Sequence, residues 1–127
     1  MATVSGGNVI VSSQLLNQSA DETYGPWVNV LGCANVTFYV TATGTTSSGV
    51  ITFEETAPLD PSIVPLVPSA PQDVGKYASI TTLNASVVSG GDQTAVHCPS
   101  AAYCFVRARI STVIGGGGTI SVGLVAY

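Results

Sequence analysis

Asn35-Val36-Thr37-Phe38-Tyr39-Val40-Thr41-Ala42-Thr43 changes chemistry at every step. Val36, Phe38, Val40 and Ala42 fall on one side of an extended chain; Thr37, Tyr39, Thr41 and Thr43 fall on the other. Successive side chains of a strand point to opposite faces, so this is the pattern of a half-buried antiparallel strand. The polar run from Gly44 to Gly49 turns the chain, and Val50 to Thr56 resumes the alternation with Ile51 and Phe53 inward. The two runs are expected to pair as a hairpin.

The same pattern recurs on both sides of this stretch. Upstream, Asn8 to Gln18 alternates Val9, Val11 and Ser13 against Ile10, Ser12 and Gln14. A polar turn from Ser19 to Thr23 precedes a second strand that includes Trp27, Val28 and Val30. Downstream, strands are expected at Tyr77 to Asn84, at Gln93 to Cys98 after the Gly90-Gly91-Asp92 turn, and at Tyr103 to Thr112. In the last of these, Cys104, Val106, Ala108 and Ile110 face one way, and Phe105, Arg107, Arg109 and Ser111 the other. Gly115 to Gly118 turns the chain into Thr119 to Ala126, which is expected to pair with Tyr103 to Thr112 as a terminal hairpin. About eight strands, roughly ten to twelve residues apart, predict a single antiparallel β-sandwich, jelly-roll-like in order. One such domain fills residues 1–127, with an N-terminal arm at 1–8.

Composition agrees. Val, Ile and Thr supply 39 of the 127 residues; they are stiff at χ1 and favour the pleated surface of a sheet. No window carries a clean helical period, and no repeat of domain-building length is visible.

Residues 57–74, APLDPSIVPLVPSAPQDV, break the pattern with five of the seven prolines. Proline lacks a donor and fixes φ, which excludes a central strand and favours extended, polyproline-like chain. Ile63, Val64, Leu66 and Val67 make this loop too apolar for a solvated linker. It is expected to pack against a partner.

Only 8% of residues are charged, against about 25% in an average domain. A surface with so few charges is suited to burial against other subunits, and the expectation is a homo-oligomer. Three basic residues and a net charge of −4 argue against nucleic acid. The first residues lack the pattern of a signal peptide, and no apolar run is long enough for a membrane helix, so synthesis and assembly in a cytosol are expected. The sequons at Asn17, Asn35 and Asn84 are accordingly read as chance matches. Cys33, Cys98 and Cys104 are expected as buried thiols, although Cys98 and Cys104 could also face each other across a hairpin. With a single histidine, His97, and no Cys-x-x-Cys pair, a zinc site is not expected.

Nothing in the chain reads as an active site. Glu54 and Glu55 are neighbours on a strand and point to opposite faces, with at least one expected in solvent. His97 and Cys98 are separated in the same way and cannot form a dyad with each other. Gly115 to Gly118 has neither the lysine nor the helix of a phosphate loop. Tyr24, Trp27 and Tyr39 are weighed as a sugar-stacking platform and as packing residues. Arg107 and Arg109, beside Phe105, are the only concentrated positive charge. Two roles stay open for them: pairing with acids of a partner, or with this chain's own Glu54 or Glu55 across the sheet. No catalytic residue, cofactor or metal ligand is assigned.

The stretch from Tyr103 to Tyr127, YCFVRARISTVIGGGGTISVGLVAY, resembles small structural proteins of tailed-bacteriophage virions in its Arg-x-Arg strand, Gly-rich turn and final Thr/Ser/Val strand. TFYVTATGTTSSGVITFEE, residues 37–55, has the same texture. The resemblance implies a non-enzymatic virion protein of β-sandwich type, a capsid cement or decoration protein that binds the major capsid protein or another virion protein as a homotrimer. A tail, neck or fibre-associated component, with or without glycan binding, is the alternative. Within such a protein, Ile63, Val64, Leu66, Val67, Arg107 and Arg109 are the candidate interface residues.

Overall fold

The computed structural model describes residues 9–30, 32–56, 78–99 and 105–127. They form nine strands: β1 (Ile10–Gln18), β2 (Thr23–Tyr24), β3 (Val28–Asn29), β4 (Asn35–Thr43), β5 (Ser48–Thr56), β6 (Ala78–Asn84), β7 (Gln93–Pro99), β8 (Phe105–Gly115) and β9 (Thr119–Ala126). A single 3₁₀ turn, Ala85–Val88, lies between β6 and β7. The expected all-β sandwich is present. The interface candidates Ile63, Val64, Leu66 and Val67, the N-terminal arm and Cys104 lie outside the described residues.

Two antiparallel sheets stack. The front sheet runs β1-β9-β4-β7, and the back sheet runs β2-β8-β5-β6, with β3 also on β8. β2 and β3 act as one interrupted strand, since both pair with β8 in nearly the same register. Counted that way, eight strands alternate between the sheets at every step except β5 to β6, which is the double Greek-key order of a jelly roll. Val36, Phe38, Val40 and Ala42 from the front and Ile51, Phe53, Val106, Ala108 and Ile110 from the back fill the space between. The rings of Phe38 and Phe53 meet across it with centroids 4.7 Å apart.

The two expected hairpins are not formed. β4 pairs with β7 and β9, and β5 pairs with β6 and β8; likewise β8 and β9 lie in different sheets. Both short loops are arches that carry the chain from one sheet to the other. A hairpin and an arch bury the same alternate residues: in the first they share one sheet face, in the second they meet across the core. Alternation therefore leaves the choice open. Here the arches lock onto each other. Gly118 N–H donates to the Thr45 carbonyl at 2.8 Å, and Ser47 N–H donates to that of Gly115 at 2.8 Å. A Cβ at Gly118 would stand 2.5 Å from the Thr45 carbonyl oxygen, so only glycine permits this approach. Thr46, fully buried, ties the first arch to the 3₁₀ turn by donating its hydroxyl to the Ala85 carbonyl at 2.8 Å.

The turn expected at Ser19 to Thr23 ends in β2, and the strand expected around Trp27 shrinks to two residues. Gly25 and Pro26 interrupt it. Three residues, 25–27, stand against two, 107–108, of β8, which makes a bulge. Proline has no N–H to offer the ladder.

Candidate functional site: a buried arginine cluster on the back sheet

β8 turns Val106, Ala108 and Ile110 into the core and Arg107 and Arg109 to the outer face of the back sheet. Register brings β5 alongside, with Glu54 directly opposite Arg107 and Thr52 opposite Arg109. Glu54 thus has one arginine across from it and one on the diagonal, both within reach of its carboxylate. Arg107 Nε donates to Glu54 Oε1 at 2.9 Å, and Arg109 Nε donates to Oε2 at 2.7 Å. Glu54 is 1% exposed and Arg107 is fully buried.

The interrupted strand completes the enclosure. Tyr24 precedes the bulge and Trp27 closes it. The guanidinium carbon of Arg107 lies 4.5 Å from the Tyr24 ring centroid and 4.1 Å from that of Trp27. Aromatic faces carry negative quadrupole charge, so both rings attract the cation while removing it from water. Arg109 lies 5.9 Å from the Tyr24 centroid and reaches Glu22 at 3.6 Å, and the Tyr24 hydroxyl donates to Glu22. Two arginines and two glutamates make the cluster neutral as a unit.

Of the two roles open for Arg107 and Arg109, the structure shows pairing with the chain's own Glu54. Arg107 is enclosed within the chain, so it presents no charge to a partner; Arg109 keeps a partly exposed side chain. The expectation that Glu54 or Glu55 would be solvated is not met. Glu54 is buried in the cluster. Glu55 is half-buried on the opposite side of β5, and its Oε2 lacks both solvent and a hydrogen-bond partner. Burial raises the Glu55 carboxyl above the ordinary glutamate range. It also raises the buried Cys98 thiol to about 11, and the Glu55 charge adds to that shift. Cys33 is a second free, buried thiol.

The three aromatics do not form one platform. Tyr24 and Trp27 flank Arg107 on the back sheet, whereas Tyr39 is on the outer face of the front sheet. His97 and Cys98 diverge as neighbours on a strand do: Cys98 is buried, and His97 Nδ1 lies 2.7 Å from the Thr37 hydroxyl on the front face. Among the described residues no group of three His, Cys, Asp or Glu could hold a metal ion, and no helix is long and apolar enough to cross a membrane.

Sequence reasoning missed Gln14. It sits between Ser13 and Leu15 with no motif around it, yet it is 4% exposed. Its side-chain oxygen accepts the Ala108 N–H at 2.8 Å, and its amide nitrogen donates to the Pro26 carbonyl at 2.9 Å. A Cβ on Gly25 would collide with the same side chain. The glutamine from β1 fills the gap that the bulge leaves in the neighbouring sheet.

The site is therefore a neutral ion cluster, buried at Arg107 and Glu54, that fastens an interrupted edge strand to its sheet. In comparisons with known proteins the chain matches no protein-family model and no curated protein sequence.

Proposed function

We propose that this chain is a non-enzymatic structural protein of a tailed-bacteriophage virion, a cement or decoration subunit that stabilises the capsid by binding across neighbouring shell subunits. A ligand that binds only the assembled shell shifts the equilibrium toward assembly. The observation that carries the proposal is the distribution of charge. β1, β4, β7 and β9 contain no Asp, Glu, Lys or Arg, so a whole sheet of the sandwich is free of formal charge. Such a face loses little when water is removed from it. The back-sheet arginines are neutralised internally, which leaves the body rigid and weakly charged. The resemblance of residues 37–55 and 103–127 to virion proteins supplies the setting, and the apolar residues Ile63, Val64, Leu66 and Val67 supply a docking arm.

Cryo-electron microscopy of the intact particle tests the proposal. Density for the sandwich is expected on the outer surface of the head. Density on the tail or neck would transfer the chain to the alternative role, and its absence from purified particles would overturn the virion setting.

A further inference from the structure

The outer face of the front sheet can be read row by row from its register. Gly123 pairs with Ser13 on one side and Tyr39 on the other, and Tyr39 pairs in turn with Ala95. Tyr39, 42% exposed, therefore rises between two residues with almost no side chain. On the Gly123 side lies a groove of about 390 Å³, bordered by Val11, Ser13, Tyr39, Thr41 and Ser121. Val11 on its rim is 74% exposed.

Packing among the described residues does not require Gly123. Among them a Cβ there would meet nothing nearer than the Ser12 carbonyl oxygen at 3.9 Å, an ordinary contact, and Gly123 is not among the glycines with positive φ. A bare glycine inside a strand weakens it, and such a residue marks either a bulge or a close approach of a ligand or another backbone. Gly123 pairs with Ser13 beside the β1 irregularity between Ser13 and Leu15, and its open surface also admits a second chain.

We propose that this face is the contact between two copies of the chain, with each Tyr39 seated in the groove over the other's Gly123. Knob and groove lie side by side on one surface, as a two-fold, self-complementary interface requires. Charge points the same way. The protein carries a net −4, and every described formal charge lies in the back sheet or in a turn, so among the described residues the front-sheet face can meet a second copy without desolvating or opposing a charge. The area suffices. Four strands about 4.8 Å apart and roughly 30 Å long cover about 570 Å² per copy. The pair thus buries near 1,100 Å², just above the roughly 1,000 Å² of the smallest specific interfaces. A reversible dimer of micromolar order is expected, not the trimer that the resemblance implies. The inference rests on the front sheet being a burial face, as the proposed function does, and gives that face to a second copy, which leaves a shell contact to other surfaces of the chain; it does not require the virion setting.

Sedimentation of the full chain from micromolar to several hundred micromolar tests it. The wild type is expected to move from 12.8 kDa toward twice that mass. Gly123→Val fills the groove and Val11→Glu places a charge on its rim. Each should weaken association at least about tenfold, since an unpaired charge or a lost knob site acts on every copy twice. Gly123→Val should keep or raise the melting temperature of the monomer, because valine suits a strand better than glycine. A wild type that stays monomeric throughout, or an oligomer that both variants leave unchanged, would overturn the proposal. A Gly123→Val monomer that melts lower would show that the glycine serves the chain's own fold, which also counts against it. None of these outcomes depends on where the chain sits in a particle.

Discussion

Gln14 and Ala108 belong to different sheets, and the side-chain oxygen of one accepts the backbone N–H of the other at 2.8 Å. This bond exists because Gly25-Pro26 breaks the edge strand that would otherwise serve Ala108. Buried backbone donors are almost always paired, and here a side chain from the opposite sheet does the pairing. Gln14→Ala should destabilise the fold by about 1–3 kcal/mol, the cost of an unsatisfied buried donor. Gln14→Glu should not rescue it, because a carboxylate cannot donate to the Pro26 carbonyl. Denaturant melts of the three proteins check this; a Gln14→Glu variant as stable as the wild type would contradict the bridging role.

The Glu54 cluster should respond to mutation as a buried network. Glu54→Gln removes the carboxylate that faces the enclosed Arg107, and a loss of about 3–5 kcal/mol is expected. Arg109→Ala, at a partly exposed position, should cost about 1 kcal/mol or less. Replacing Arg107 with Met and Glu54 with Leu together should cost less than either single change, since the pair is removed as a unit. A double-mutant cycle by equilibrium unfolding measures the coupling, and simple additivity would rule the network out.

Glu55 gives a pH signature of opposite sign to a salt-bridged carboxylate. Its folded-state carboxyl titrates above the ordinary range, so the folded chain holds this proton more tightly than the unfolded chain does. Its contribution to stability is full below the unfolded value and falls as pH rises through the folded value. Glu55→Gln should therefore raise the melting temperature at neutral pH and have little effect in acid. Thermal melts of both proteins across that interval decide the point, and a Gln variant less stable at neutral pH would contradict it.

Cys98 is predicted to be a poor nucleophile. A thiol raised to about 11 is almost wholly protonated at neutral pH and is also buried. Labelling of the native protein at Cys98 by an alkylating reagent, followed by mass spectrometry, should be slow and should accelerate only on unfolding. Rapid native labelling of this residue would show that the interior near Glu55 opens.

Glycines in the second arch should differ in tolerance. Gly118→Ala forces a Cβ against the Thr45 and Thr43 carbonyl oxygens, 2.5 and 2.7 Å away. Gly117→Ala meets nothing within 4 Å among the described residues and bears the strain of its φ of +88°, on the order of 1 kcal/mol. Comparative melts should therefore rank Gly118→Ala as the more damaging change; the reverse order would mean that the arches are not held by their close approach.

By itself the sequence determined where the chain extends and which residues face inward. Asn35–Thr43 and Thr119–Ala126 match their expected bounds, because alternation of Val, Phe and Ile with Thr and Ser is a local property that survives in any antiparallel packing. It determined the sandwich, since β4, β5, β8 and β9 each have one apolar face and two sheets are the way to bury them. Partners were not legible. A strand's alternation names its face and not its neighbour, so the arches after Thr43 and Gly115 could not be told from hairpins until Phe38 and Phe53 were placed across the core. The arginine cluster was half legible: Glu54 stood as one partner for Arg107 and Arg109, but a charged residue in sequence carries no sign of burial. Only the tertiary structure enclosed Arg107, by bringing Tyr24 and Trp27 from about 80 residues earlier in the chain onto β8, and only the broken edge strand they belong to gave Gln14 a backbone donor to satisfy.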